Sequence, residues 1–175
     1  MTTKRTCGDC QLCCKVLPTK EIDKPANQRC RHQKHGVGCA IYKHRPISCQ
    51  LWSCLWLMGE DLGERPDRSR LVVDPIPDYV VAVQDLTGER TNVPIIQVWC
   101  ESRDRDAHRN PAFRAWLKRS GHAALIRYDN SEGLVLAWQN GQWFEKWSNW
   151  LEKEHTIEEK LAAGVGFEIE IGVRP

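Results

Sequence analysis

Residues 124–147 read ALIRYDNSEGLVLAWQNGQWFEKW: two apolar runs and an aromatic one, separated by DNSE and by Asn140-Gly141. Asn-Gly is a strong two-residue hairpin signal, because both residues of a type I′ turn need positive φ and these two tolerate it. The turn sets the register of its flanks and places Trp138 opposite Trp143 on one face of a ladder. DNSE joins ALIRYD to GLVLAWQ in the same way. Three consecutive antiparallel strands are therefore predicted.

Upstream, LVVD, YVVAVQDL and PIIQVWC are β-branched runs separated by PIPD and TGERTN, and they predict three more strands in an antiparallel meander. Between the two groups, Asn110-Pro111 starts a helix. Asn caps free amide groups, and Pro suits the first helical position, where its missing N–H costs nothing. Phe113, Trp116 and Leu117 share one face, and Gly121 is the stop. Downstream, SNWLEKEH leads to a capping box at Thr156 and Glu159 and a helix ending at Gly164, after which FEIEIG alternates as a closing strand. The expected fold class is α+β, an antiparallel sheet with two or three helices over residues 65–175. GERPDRS, residues 63–69, marks the boundary with an N-terminal module, residues 1–64, packed with the body as one compact unit.

That module lacks sustained periodicity and is rich in cysteine, proline and basic residues, so it is expected to consist of turns and one or two short helices wrapped around ions. SCLWLMG, after Cys49, reads as a brief apolar helix or turn seating it on the body. Eight of the nine cysteines lie between Cys7 and Cys54, spaced Cys7-x2-Cys10-x2-Cys13-Cys14, then Cys30, Cys39, Cys49 and Cys54. No apolar run approaches the roughly 20 residues that span a bilayer, and the basic start is not followed by a signal-peptide core. The expected location is the cytoplasm, where clustered thiols are more often metal ligands or catalytic groups than disulfides.

A C-x-x-C pair lets a tight turn aim two sulfurs at one ion, and Gly8 and Asp9 suit that turn. Zinc takes about four ligands in a closed site, so eight cysteines match two all-cysteine sites arithmetically, with the pairing open. Adjacent Cys13 and Cys14 tend to diverge, which suits a second ion or a bridging position. The triple Cys7, Cys10, Cys13 also suits an iron–sulfur cluster, although no C-x3-C-P continuation follows. Metal-free redox or disulfide chemistry is the remaining alternative.

The runs CGDCQLCC and GCAIYKHRPISCQLWSC resemble the CxxCxxCC cysteine-cluster proteins, also called the YkgJ family, a zinc- or iron-chelating domain. The second carries a glycine-cysteine, aromatic, Arg-Pro, cysteine signature in Gly38, Cys39, Tyr42, Arg45, Pro46 and Cys49. The likeness covers roughly residues 7–70, ERPD included. It implies that Cys7, Cys10, Cys13, Cys14, Cys30, Cys39 and Cys49 are metal ligands, and Cys54 joins them as the eighth. A metal-binding protein follows, with zinc as the expected cofactor and iron or an iron–sulfur cluster as alternatives. An iron–sulfur or thiolate-based redox or group-transfer enzyme is the competing class. A related domain accompanies flagellin lysine N-methylation in some bacteria, but no glycine-rich nucleotide loop follows a clear strand here, so no pocket for a methyl donor is evident.

Residues 1–54 carry ten Lys and Arg against three Asp and Glu, a net of +7, while the remainder carries fifteen against twenty, a net of −5. Thiolates offset much of the first charge, so a basic head does not by itself mean nucleic acid. Metal ions are the expected partners; a protein partner is open, nucleic acid is disfavoured and no membrane is implied. His32, His35 and His44 are expected to face solvent or support ligands, and Arg45 to hydrogen-bond a thiolate or carbonyl or to lie on the surface. Cys100 reads as a small buried hydrophobe. Asp104, Asp106 and His108 read as a solvated loop before the helix.

Overall fold

In the computed structural model, residues 5–84, 87, 90–129, 132–149 and 167–173 are described. The predicted capping box at Thr156 and Glu159 and the helix end at Gly164 lie outside them. The head contains helix α1 (Leu12–Val16), a two-residue ladder β1 (Gln33–Lys34) and β2 (Gly38–Cys39), α2 (Ile47–Leu51), α3 (Leu55–Met58) and α4 (Pro66–Ser69). The body contains β3 (Leu71–Gln84), β4 (Arg90–Cys100), α5 (Pro111–Ser120), β5 (Ala123–Arg127), β6 (Glu132–Gln139), β7 (Gln142–Asn149) and β8 (Phe167–Val173).

The body strands form one sheet in the order β7-β6-β5-β4-β3-β8. The β6–β7 hairpin follows the sequence reading: Asn140 and Gly141 sit at φ 48° and 80°. Trp138 pairs with Trp143 across the ladder, ring centroids 5.2 Å apart in an edge-to-face contact. The α5 start is also as read. Asn110 Oδ1 accepts hydrogen bonds from the Ala112 and Phe113 amides at 3.0 and 3.1 Å, and Gly121 ends the helix at φ 70°.

Two features differ from expectation. LVVD and YVVAVQ are a single strand, β3, the last two residues of the predicted run lying outside the described residues, because PIPD is absorbed as an irregularity where the β3–β4 register shifts between Val73 and Pro77. Among the described residues β8 pairs with β3 only from Val80 onward, so the prolines lie where β3 is an edge and a missing N–H breaks no second ladder. The sheet is also mixed. β3–β4, β5–β6 and β6–β7 are antiparallel, as expected, whereas β4–β5 and β3–β8 are parallel. The cause at the centre is α5: the chain leaves β4, crosses through the helix and re-enters in the same direction, the connection that a parallel pair requires.

Strand alternation then sorts side chains to the two faces. Val73, Ile96, Val98, Ala124, Ile126, Leu134 and Leu136 pack with Phe113, Trp116 and Leu117 of α5. Val72 and Trp99 are partners across the β3–β4 ladder and pack instead with Leu12, Val16 and Cys54 of the head. SCLWLMG does seat the head, since Trp56 of α3 packs against both clusters. Polar ties reinforce the seat: Trp52 Nε1 donates to Asp74 at 3.1 Å, Trp116 Nε1 to Glu60 at 2.8 Å, and Asn27 Nδ2 to the Cys100 carbonyl at 3.1 Å.

Candidate metal centre

The first knuckle forms as its composition suggests. The Cys10 amide donates to the Cys7 carbonyl at 2.8 Å, and Gly8 takes a left-handed φ of 53°. The chain then enters α1, which carries Cys13 and Cys14, both half-buried. Cys30 is brought in by its backbone, its amide donating to the Cys14 carbonyl at 3.1 Å. Cys39 follows on β2, where its partner is Gln33, itself hydrogen-bonded to the Cys30 carbonyl. Gln11 supports this ladder, with Nε2 donating to the Lys34 and Gly38 carbonyls. Exposed Cys49 lies on α2, where Ser48 and Thr19 favour its thiolate against the effect of burial. Cys54 caps α3 and is buried at 8% exposure beside Val72 and Trp99.

Electrostatics show which thiols stand close. Cys13 and Cys14 are coupled through a side-chain hydrogen bond. That bond holds the Cys13 thiol well above its ordinary range, assisted by burial and by Cys14, Cys10 and Cys7. It brings Cys14 down to about 7 against the opposing effect of burial, with Lys24 and Arg45 assisting. Burial raises Cys7, with Cys14 adding to it and Arg45 and Arg65 opposing. Burial likewise raises Cys10, Cys49 and Cys54, and Cys54 also feels Cys7. Cys7, Cys10, Cys13 and Cys14 therefore form one mutually interacting group, with Cys54 reaching it through Cys7 and Cys49 through Cys14.

Three cations surround the group. Lys24 is buried and donates to the Lys15, Leu17 and Pro25 carbonyls, while Cys30, Cys14, Cys13 and Cys49 all act on its ammonium. Arg45 lies over the Tyr42 ring at 4.1 Å, and its buried Nε has no hydrogen-bond partner among the described residues. Arg65 binds Asp9 and Asp67. Sequence reasoning assigned no role to Lys24 or Arg65. Lys24 has no local signature, because it acquires its neighbours through folding; Arg65 has Asp67 two residues on in ERPD, and only folding brings it to Asp9. His35 and His44 are exposed and His32 is half-buried, beside Arg31.

Among the described residues, no three or more His, Cys, Asp or Glu side chains already stand in a metal-holding arrangement. The donor set nevertheless fits a soft or borderline cation: several thiols, few carboxylates and fixed positive charge to balance thiolates. The orphaned Arg45 Nε suits the same state, since a thiolate accepts the hydrogen bond that a protonated thiol accepts only weakly.

The remaining candidates resolve simply. Cys100 is fully buried and burial pushes its thiol far up, as befits a small core residue. His108 is not in a solvated loop: it is 2% exposed, with Nδ1 within 2.8 Å of the Arg105 carbonyl and 3.0 Å of the Tyr128 hydroxyl. Asp106 alone of that trio is freely exposed. Among the described residues no helix is long and apolar enough to cross a membrane. No protein-family model, curated protein or solved structure matches the chain.

Proposed function

We propose that the protein binds metal, zinc in the first instance, through thiolates of its N-terminal cysteines, and that binding completes the folding of the head. The observation that carries this reading is the interacting group Cys7, Cys10, Cys13 and Cys14, flanked by Cys54 and Cys49 and ringed by Lys24, Arg45 and Arg65. Cys30 and Cys39, linked to the group through backbone hydrogen bonds, supply the rest of an eight-thiol set. The resemblance to the YkgJ family supports the same conclusion.

The chain's own chemistry is proton release and charge balance. Without a cation, burial keeps Cys7, Cys10, Cys49 and Cys54 protonated, and protonated thiols do not repel. A divalent ion favours the thiolates and displaces their protons, so uptake is opposed by acid. Lys24 and Arg45 then neutralise part of the accumulating negative charge, and Arg45 Nε gains an acceptor. A closed set of cysteines gives a structural metal, the ion supplying folding energy rather than a reaction centre.

Protein purified without oxygen and assayed for metals, acid-labile sulfide and visible absorption tests the reading. About two zinc ions per chain, no sulfide and no colour are expected from eight ligands taken four at a time. Protein without stoichiometric metal, which also takes none up on reconstitution, refutes it. Brown protein with iron and sulfide replaces it with the iron–sulfur alternative.

A further inference from the structure

We infer that Arg65 positions the Cys7–Cys10 knuckle by bridging it to the head of α4; the inference rests on the metal-binding reading in that the knuckle supplies two of the proposed ligands. Cys7, Gly8 and Asp9 are exposed, and the internal fastening of the knuckle is the Cys10 to Cys7 hydrogen bond. A four-residue turn held so lightly does not keep two sulfurs at a fixed separation. Arg65 supplies the missing anchor. Its Nε and Nη2 grip the Asp67 carboxylate at 2.6 and 2.9 Å in a bidentate fork, and Nη1 is left to reach Asp9 Oδ1 at 2.8 Å. One planar guanidinium thereby spans two carboxylates, a geometry that the point charge of lysine does not reproduce.

The platform behind the arginine is firm. Pro66 occupies the first position of α4, Pro66 and Ser69 are buried, and the Arg65 carbonyl accepts from the Arg68 and Ser69 amides at 2.8 and 3.0 Å. The knuckle side is shaped to receive it: a Cβ on Gly8 would stand 3.4 Å from Arg65 Nη1, and the positive φ of Gly8 disfavours any side chain there. Asp67 also acts on the Cys10 thiol, through its backbone amide, which lowers the thiol's pKa, and through its carboxylate, which raises it, so the residue that holds the arginine neighbours a proposed ligand. Arg65 is a positioning residue. It acts on the metal through the turn that carries the sulfurs.

The experiment compares the wild-type chain with Arg65→Gln, Arg65→Lys and Asp9→Asn, using Arg119→Gln as the control, since the exposed Arg119–Asp61 pair lies far in sequence from the knuckle. Zinc affinity is measured by competition with a chromophoric chelator, and bound cobalt(II) by its sulfur-to-metal charge-transfer band. Loss of an outer partner of a metal ligand typically weakens affinity about 10–100-fold. Arg65→Gln is expected to show that loss and a weaker charge-transfer band, Arg65→Lys and Asp9→Asn smaller losses, and Arg119→Gln none. Asp9 is exposed, so Asp9→Asn keeps the test valid if an Arg65 variant fails to fold. Affinity of Arg65→Gln and Asp9→Asn within about threefold of wild type overturns the inference, as does a loss matched by Arg119→Gln. The same variants, metal-free, are alkylated with iodoacetamide and mapped by mass spectrometry. Faster modification of Cys7 and Cys10, with buried Cys100 unchanged, supports the clamp even where the wild-type protein takes no metal. Unchanged rates at all three overturn it independently of the metal reading.

Discussion

Gly63 offers a sharp test of how the head is fastened to the body. It adopts φ +75°, and a Cβ built there would stand 2.6 Å from the Cβ of Ala112 in the first turn of α5. Two costs follow for Gly63→Ala. A non-glycine residue in the left-handed region costs about 1–2 kcal/mol. Carbon atoms prefer about 3.5–4.0 Å, so the methyl groups overlap, and an overpacked contact costs about 1–3 kcal/mol after the backbone shifts. Neither partner can swing aside, because both are methyls on backbone positions. Leu62, next in the chain, is packed in the cluster of Phe113, so a shift to relieve the clash disturbs that packing as well. The expected destabilisation is about 2–5 kcal/mol. Urea unfolding followed by tryptophan fluorescence measures it, as a fall in midpoint at unchanged slope. Ala112→Gly separates the terms: alone it costs up to about 1 kcal/mol as a helical glycine, and in the double variant it removes the clash. The pair should therefore couple by about 1–3 kcal/mol. A loss below about 1 kcal/mol for Gly63→Ala, or strict additivity in the double variant, refutes the close approach of this loop to α5.

Cys13→Ser and Cys14→Ser should each lower bound metal by elemental analysis, and unchanged content in both refutes their assignment as ligands. Asn110→Ala removes the acceptor of two amides and should cost about 1 kcal/mol, or about 2–4 °C of melting temperature for a chain of this size; Asn110→Asp should retain most of the stability. Burial holds His108 below its ordinary imidazole value of 6.5, with the Arg105 carbonyl and Glu145 opposing and Arg114 and Arg109 adding to the effect. The folded state therefore binds fewer protons than the unfolded one, so this contribution is complete above pH 6.5 and lost as pH falls towards the folded value. Urea midpoints between pH 5 and 8 should decline on acidification more steeply for wild type than for His108→Leu, and equal slopes refute the assignment.

Features encoded over two to four residues were legible in the sequence. Asn140-Gly141 dictated a hairpin and, through it, the Trp138–Trp143 pair, because φ at the turn and the ladder register are local constraints. The Asn110 cap and the Gly121 stop were legible for the same reason. What depended on distant partners was not. PIPD looks like a turn in isolation, and only the β8 pairing, which among the described residues begins at Val80, shows why a strand tolerates two prolines. The parallel β4–β5 pair follows from the helix between them, yet each run alone has no direction. His108 sits in a charged stretch that reads as solvated, and its burial depends on Tyr128, twenty residues further on. The candidate metal centre divides similarly. C-x-x-C spacing announced the knuckle, whereas the proximity of Cys49, Cys54, Lys24 and Arg65 to it is a product of tertiary packing.

The Val72–Trp99 pair gives the sheet a second consequence, a thermodynamic one. These side chains line the face that receives the head, while their neighbours Leu71, Val73, Val98 and Cys100 line the face that receives α5. A ligand that binds only the folded head stabilises the whole chain by RT ln(1 + [L]/Kd) to the extent that head and sheet unfold together. Linkage is reciprocal. On the proposed metal-binding reading, loosening the body from the α5 side, as at Asn110 or Gly63, then raises the metal concentration needed to saturate the head although no cysteine has been touched, and melting temperature becomes a gauge of loading.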